Sequence, residues 1–345
     1  MSSNADRGLS HRGVLHEYAP RLVAFEFTPP AEGVNKINSL IFVGGLTDGF
    51  CTVPYVSKLA EALESSEWSV FSVLLSSSYG GWGVGSLDRD VEELGQCVRF
   101  VRDLKASRQP GAPTKGGKIV IMGHSTGSQD VLHYLYSPNP VPKKEFDLGL
   151  NHMVRPELDG AILQAPVSDR EGLQAIIDSS DQADEIKNVY GELVDFAKKK
   201  PYTEANNDTI LPMNLTAKLS YPPDTPLSAR RFLSLVSPES PDNPSDDDLF
   251  SSDLSDQRLQ ETFGMIGSRG MVASKILFLY SGEDEYAPHW VDKLKLLKRW
   301  QQAIEAGGAE WDAGNSGVIT GASHNVKDEG QQDLIARVLK YLHSL

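Results

Sequence analysis

Residues 118–136, KIVIMGHSTGSQDVLHYLY, decide how the rest of the chain is read. An apolar run ends in Gly123-His124-Ser125-Thr126-Gly127, and a helical pattern begins at once. Apolar residues without alternation mark a strand covered on both faces. The pentapeptide fits G-x-S-x-G, in which a serine sits on a strained turn between strand and helix. Its glycines have a physical reason: strand and helix approach so closely there that side chains would collide. The alternative is a plain strand-to-helix turn, because so short a pattern also matches by chance. The strand before it and the helix after it are the context the motif requires, and they favour a nucleophile.

Outward from this turn, strands and helices alternate. VLHEY and LVAFEF (within 14–27) read as an opening strand pair. SLIFVGG (39–45), WSVFSVLLS (68–76), DGAILQAP (159–166) and KILFLYSG (275–282) read as further strands, and NSGVIT (315–320) holds a last short one. Helical patterns fall between them: VPYVSKLAEALES, a helix from about 87 to 106, HWVDKLKLLKRWQQAIEA and the closing GQQDLIARVLKYLHSL. This order predicts an α/β fold, a mainly parallel sheet with helices on both faces. Residues 168–272 interrupt the rhythm and are too many for a simple loop. They read as a lid or cap inserted into a core of 12–167 and 273–345. Within the insertion, EGLQAIIDSSDQADEIKNVYGELVDFAKKK is helical. SPESPDNPSDDDLFSSDLSD (237–256) carries seven acids, three prolines and no basic residue, a composition expected to stay mobile.

The 345 residues carry a net charge of −14, with 40% hydrophobic and 23% charged residues. That is the make-up of a soluble globular chain with a sizeable core. Such acidity argues against nucleic acid or an anionic membrane as partner. The opening MSSNADRGLSHRG lacks the apolar core of a signal peptide, and no run reaches the roughly 18 apolar residues of a spanning helix. Cys51 and Cys97 are too few for a disulfide framework. Cys97 shares helical spacing with Val91, Leu94, Val98 and Val101 and reads as an apolar filler. A cytoplasmic protein is the expectation.

A serine hydroxyl is a weak nucleophile until a base takes its proton. With this motif the partners follow in the order serine, acid, histidine, at the carboxyl ends of strands. Eight histidines are present. His11 and His16 precede the core sheet, His124 lies in the turn itself, and His133 and His343 lie within helices. His152 sits at the wrong end of a strand, and His289 opens a helix beside the acid. His324, in the loop GVITGASHNVKDEG, is the expected base; its other reading is an exposed loop histidine. For the acid, FLYSGEDEYAPHW ends a strand with Glu283, Asp284 and Glu285. Asp284 stands four residues before Pro288, a spacing common in such hydrolases, and is the first choice. The main competitor is Asp169 in QAPVSDRE, after the preceding strand, with the two glutamates behind.

Backbone donors for an oxyanion are expected at Thr126, just after the nucleophile, and at Leu46. Leu46 lies in Val43-Gly44-Gly45-Leu46-Thr47-Asp48-Gly49, where Gly44 and Gly45 let the main chain approach a substrate. As a phosphate loop this segment fails, because neither G-x-x-x-x-G-K-[ST] nor G-x-G-x-x-G follows any strand. Asp246-Asp247-Asp248 lacks the glycine and distal glutamate of a calcium loop. No metal or cofactor is expected. Tyr79 and Trp82, in a glycine-rich loop at a strand's end, are candidates for pocket walls, with ordinary lid packing as the equal alternative.

The elbow GHSTGSQD, the upstream IFVGGLTDG and the loop SSSYGGWGVGSL together resemble a fungal α/β-hydrolase family. Its members include the siderophore esterases that open fusarinine C and its triacetyl derivative. The likeness runs from about residue 12 to the end. It implies an α/β-hydrolase fold and an intracellular serine hydrolase that cleaves esters of a cyclic hydroxamate trilactone to release iron. Ser125, Asp284 and His324 match its triad, and any iron arrives inside the small-molecule substrate. Membership fixes the chemistry better than the substrate, so a general carboxylesterase, thioesterase or lipid esterase is the alternative. A non-catalytic scaffold that binds a ligand or protein ordinarily loses a triad member, and all three candidates are present.

Overall fold

The computed structural model describes residues 10–27, 36–108, 117–143, 149–199 and 209–345. The N-terminal stretch read for a leader segment lies, through residue 9, outside the described residues. Strands β1 (Gly13–Ala19), β2 (Leu22–Phe27), β3 (Asn38–Val43), β4 (Trp68–Val73), β5 (Ile119–His124), β6 (Gly160–Gln164), β7 (Ile276–Ser281) and β8 (Gly317–Ile319) form one sheet. Their order is β1-β2-β4-β3-β5-β6-β7-β8. β1 and β2 run antiparallel and β2 meets β4 antiparallel; from β4 to β8 every pairing is parallel. This is the α/β architecture that the alternation of strands and helices predicts.

Strands β3 to β7 are buried along their whole length, which explains their unbroken apolar runs. The pleat sends neighbours to opposite faces. Leu40, Phe42, Val120 and Met122 pack on one side, and Ile41, Val43, Ile119 and Ile121 on the other. The helices that cover these faces begin with α1 (Tyr55–Ala62), α2 (Leu87–Ser107) and α3 (Thr126–Tyr136). The insertion adds α4 (Asp169–Ser179), α5 (Ala183–Lys199), α6 (Met213–Thr216), α7 (Ala229–Val236), α8 (Asp256–Glu261) and α9 (Ile266–Arg269). α10 (Lys293–Ala306) and α11 (Gln331–Ser344) complete the set. α1 and α11 bury Tyr55, Leu59, Leu334 and Val338 on the first face, while α2, α3 and α10 bury Val91, Leu94, Val131 and Trp300 on the second. Each such side chain contributes about 1.5–3 kcal/mol by leaving water. Cys97 is buried among them as a free thiol. Among the described residues no helix is long and apolar enough to cross a membrane.

The insertion divides its allegiance. α4, α5 and α7 gather an apolar cluster of their own, including Leu173, Ile177, Leu193, Phe232 and Leu235, closed by Trp82. The helical run expected over 171–200 is broken at Ser180, whose extended backbone ends α4. The rest of the insertion joins the main core. Leu249, Phe250 and Leu254 are each 1% exposed, and Phe250 and Phe263 pack against Trp300.

That packing overturns the expectation of a mobile acidic stretch over 237–256. Asp247, Asp248 and Asp253 find arginine partners outside the stretch. Arg231 holds Asp247 in a buried ion pair, and Arg170 bonds Asp248 at 3.0 Å and reaches Asp253. Ser240 and Ser251 donate to Asp248 as well. Local composition hides these arginines and understates the three apolar anchors.

Candidate active site

β5 runs straight into the strained turn. Ser125 has φ 55° and ψ −122°, a conformation that costs about 1–3 kcal/mol and persists only where its surroundings enforce it. The enforcement is steric. A Cβ on Gly123 would lie 2.1 Å from the Gly127 carbonyl oxygen, and one on Gly127 would lie 2.4 Å from that of Val43. Strand, turn and helix therefore touch through bare backbone. The turn is pinned further: Ser125 N–H donates to the Gln164 carbonyl at 3.0 Å, and Ser128 Oγ donates to the same carbonyl at 2.8 Å.

Gly44 and Gly45 leave the end of β3 instead of extending it and cross directly over the serine. A Cβ on Gly45 would sit 2.6 Å from Ser125 Cβ and 3.2 Å from its Oγ. Asp48 shapes this loop, a role that sequence reasoning missed. Its Oδ2 accepts from Gly45 N–H at 2.8 Å, and its own N–H donates to the Gly45 carbonyl at 3.0 Å. Thr47 adopts φ 68° to close the turn. An aspartate three residues after a glycine pair is the signal that was available. Leu46 is thereby set beside Ser125, and both line one cavity of about 350 Å³. Thr126 opens α3, so its N–H has no acceptor within the helix.

His324 lines the same cavity and is 5% exposed. Its Nδ1 lies 3.0 and 2.9 Å from the two carboxylate oxygens of Asp284. The carboxylate itself is fixed by Tyr286 N–H at 3.1 Å. Glu285 accepts from the His324 backbone N–H at 2.8 Å and so steadies the loop instead of the ring. With Nδ1 engaged, Nε2 is the ring nitrogen left for the serine side. The competitor Asp169 is elsewhere on the cavity wall, where its Oδ2 accepts from Gln129 Nε2 at 2.6 Å.

His124 is occupied on both nitrogens. Nδ1 meets Gln164 Oε1 at 2.5 Å, and Nε2 meets Asn325 Oδ1 at 2.8 Å. Tyr55 donates to the same Gln164 oxygen. Burial first, then the neighbouring His324, pushes His124 down to about 4, so it stays neutral at physiological pH. Its ring lies 4.8 Å from that of His324, and its bond to Asn325 ties the elbow to the histidine loop.

Tyr79 and Trp82 do not line this cavity. The Tyr79 ring lies against Gly49, and its hydroxyl accepts from Phe50 N–H at 2.9 Å; it braces the glycine loop from outside. Trp82 is 2% exposed within the apolar cluster of the insertion. Its ring lies 5.7 Å from that of Tyr221, so it backs a wall residue without reaching the cavity. Tyr79 thus packs on the loop after β3, its N–H donating to the Asp48 carbonyl at 2.8 Å, and Trp82 packs in the insertion. The walls are supplied instead by Leu173, Tyr221 and Pro222 of the insertion and by Tyr286, none of which carried a sequence signal.

A family model described as "Protein of unknown function (DUF1749)" matches residues 1–343. The fusarinine C esterase sidJ of Aspergillus fumigatus is 48% identical over 344 residues, 96% of each chain. Esterase AN6793 of Emericella nidulans is 46% identical, covering 96% of this chain and 92% of that one. Among solved structures, the siderophore hydrolase EstB from Aspergillus fumigatus superposes with a TM-score of 0.84 at 46% identity, over 97% of this chain and 98% of its own. With a family model along its length and relatives near half identity across it, this chain belongs to the DUF1749 family and to the sidJ-like fungal α/β-hydrolases.

Proposed function

We propose that this protein is a serine esterase that hydrolyses ester bonds of a hydroxamate siderophore, a trilactone of the fusarinine C type. The observation that carries the chemistry is a single cavity walled by Ser125 on its strained turn and by His324 held on Asp284. His324 Nε2 takes the Ser125 proton as the hydroxyl oxygen bonds to the ester carbonyl carbon. The Leu46 and Thr126 amides donate to the oxyanion, and Asp284 stabilises the imidazolium. His324 then protonates the departing alcohol. Water, deprotonated by the same nitrogen, releases the acyl group and restores the serine.

The substrate class rests on the relatives named a fusarinine C esterase and a siderophore hydrolase. The described residues within 169–199 and 209–236 would serve as the cap, since Leu173, Ile176, Tyr221 and Pro222 line the cavity with the serine. Ferric fusarinine C and its triacetyl form, incubated with the protein and followed by mass spectrometry, test this reading. Ring opening that vanishes in Ser125→Ala, with at least about 10³-fold loss, supports it. Cleavage of simple aryl esters alone would keep the serine chemistry and discard the siderophore.

A further inference from the structure

Asp169 is the cavity group that ester hydrolysis leaves unused. It follows β6, opens α4 and lines the same cavity as Ser125. Its carboxylate is aimed by Gln129, which is 1% exposed on α3 and so has little freedom to turn away. Gln129 belongs to the GHSTGSQD segment, so the helix that follows the serine also sets this carboxylate.

The charge around it is one-sided. Burial pushes Asp169 up to about 6; Gln129 pulls it back, Asp247 and Asp248 push further, and Arg231 counters them. Arg231 spends its direct ion pair on Asp247. Among the described residues lining the cavity there is no lysine or arginine. The basic groups there are His124, held neutral by burial, and His324, already bonded to Asp284. A second carboxylate, Asp48, shares the wall; among the described residues it accepts from a backbone amide and, at 3.9 Å, faces His124. A carboxylate drawn from water without a cationic partner is unfavourable until something completes it. In a substrate cavity, the substrate is what arrives.

We propose that Asp169 is a specificity-determining residue, a binding carboxylate that pairs with an ammonium group of the substrate and makes the enzyme select cationic esters over neutral isosteres. This rests on the esterase reading of the cavity. A carboxylate in the first turn of a helix is ordinary when it faces solvent and the helix dipole alone rewards it. Here it faces the serine's cavity instead.

The test uses dimethylaminopentanoate methyl ester, cationic at neutral pH, and its carbon isostere with CH in place of the protonated nitrogen. The wild type favours the cation in kcat/KM. Asp169→Asn, which still accepts from Gln129, lowers the cation-to-isostere ratio about tenfold or more, mainly through KM, as loss of a charge-assisted bond requires. Taking the ratio cancels any pH dependence of the catalytic steps that both esters share. Lowering the pH through about 6 lowers the wild-type ratio as Asp169 takes up a proton, and leaves the ratio of Asp169→Asn flat. A persisting pH dependence in that variant would assign the selectivity to a group other than Asp169, and a ratio unchanged within about twofold would remove Asp169 from recognition; either overturns the proposal. Calorimetric titration of Ser125→Ala with both esters, with and without Asp169→Asn, reads the same preference as binding alone, without turnover. If wild-type turnover proved independent of Ser125, the esterase reading would fall while these titrations still decided the role of Asp169.

Discussion

β6 and β7 are neighbours in the sheet, and an aspartate follows each just beyond its carboxyl end, Asp169 at the start of α4 and Asp284 in a loop. The two residues hold the same topological station and differ in company. Asp284 meets an imidazole with both oxygens and a backbone amide with one. Asp169 meets a neutral amide. In the proposed mechanism the first has its counter-charge built into the protein, because the imidazolium would form beside it. Among the described residues the second has none in contact, and burial pushes it upward. A carboxylate's task is set by what completes its charge, and strand-end position alone does not distinguish the two.

The comparison breaks first at Asp284. Asp284→Asn is expected to lower kcat about 10³–10⁴-fold while the protein stays folded. Steady-state kinetics on a neutral ester check this, and retention within about tenfold would mean that Asp284 is not the group that supports His324. Next comes Glu285, whose hold on the His324 backbone belongs to the β7 end alone. Glu285→Ala should cost about tenfold in kcat through a less well-placed ring. Single-turnover rates would show the loss in the chemical step, and a change confined to KM would count against a positioning role.

The smallest effect concerns stability. The folded-state value of Asp169, about 6, lies above its usual 3.8. Ionising it therefore costs more in the folded state. The penalty is absent below the unfolded value, grows from about pH 4 and is complete above about pH 6. Asp169→Asn should accordingly raise Tm by roughly 1–5 °C at about pH 8 and lose that gain near about pH 4. A lower Tm at the higher pH would mean that the carboxylate already has a cationic partner within the protein.

The sheet was legible because β3 to β7 are buried on both faces and their sequences are correspondingly apolar. Their ends were less so: Gly44 and Gly45 look like strand residues until the close approach of Ser125 is seen. Around the cavity, residues with a chemical signature, Ser125, Asp284 and His324, were named from the order serine, acid, histidine. Tyr221, Pro222 and Leu173 were invisible because a wall residue needs only shape, and shape comes from the packing of an insertion that periodicity cannot orient. Tyr79 and Trp82 failed for the converse reason, since aromatic rings in a glycine loop suit packing as well as binding. The acidic stretch misled because the arginines that pair with it, Arg170 and Arg231, lie outside it.

The split allegiance of the insertion has a practical side for anyone wishing to exchange parts between relatives. Cut points at the ends of the whole insertion would carry Leu249, Phe250, Leu254 and Phe263 away with the graft and leave Trp300 and Phe278 facing foreign side chains. Cutting after Ser168 and before Leu249 spares that aromatic stack. Such a transplant should also take Arg231 with Asp247 and restore Arg170 with Asp248, because a donor segment lacking either arginine would strand a buried anion. The exchangeable module is thus shorter than the interruption in the strand rhythm suggests, and it travels with its Arg231–Asp247 and Arg170–Asp248 ion pairs.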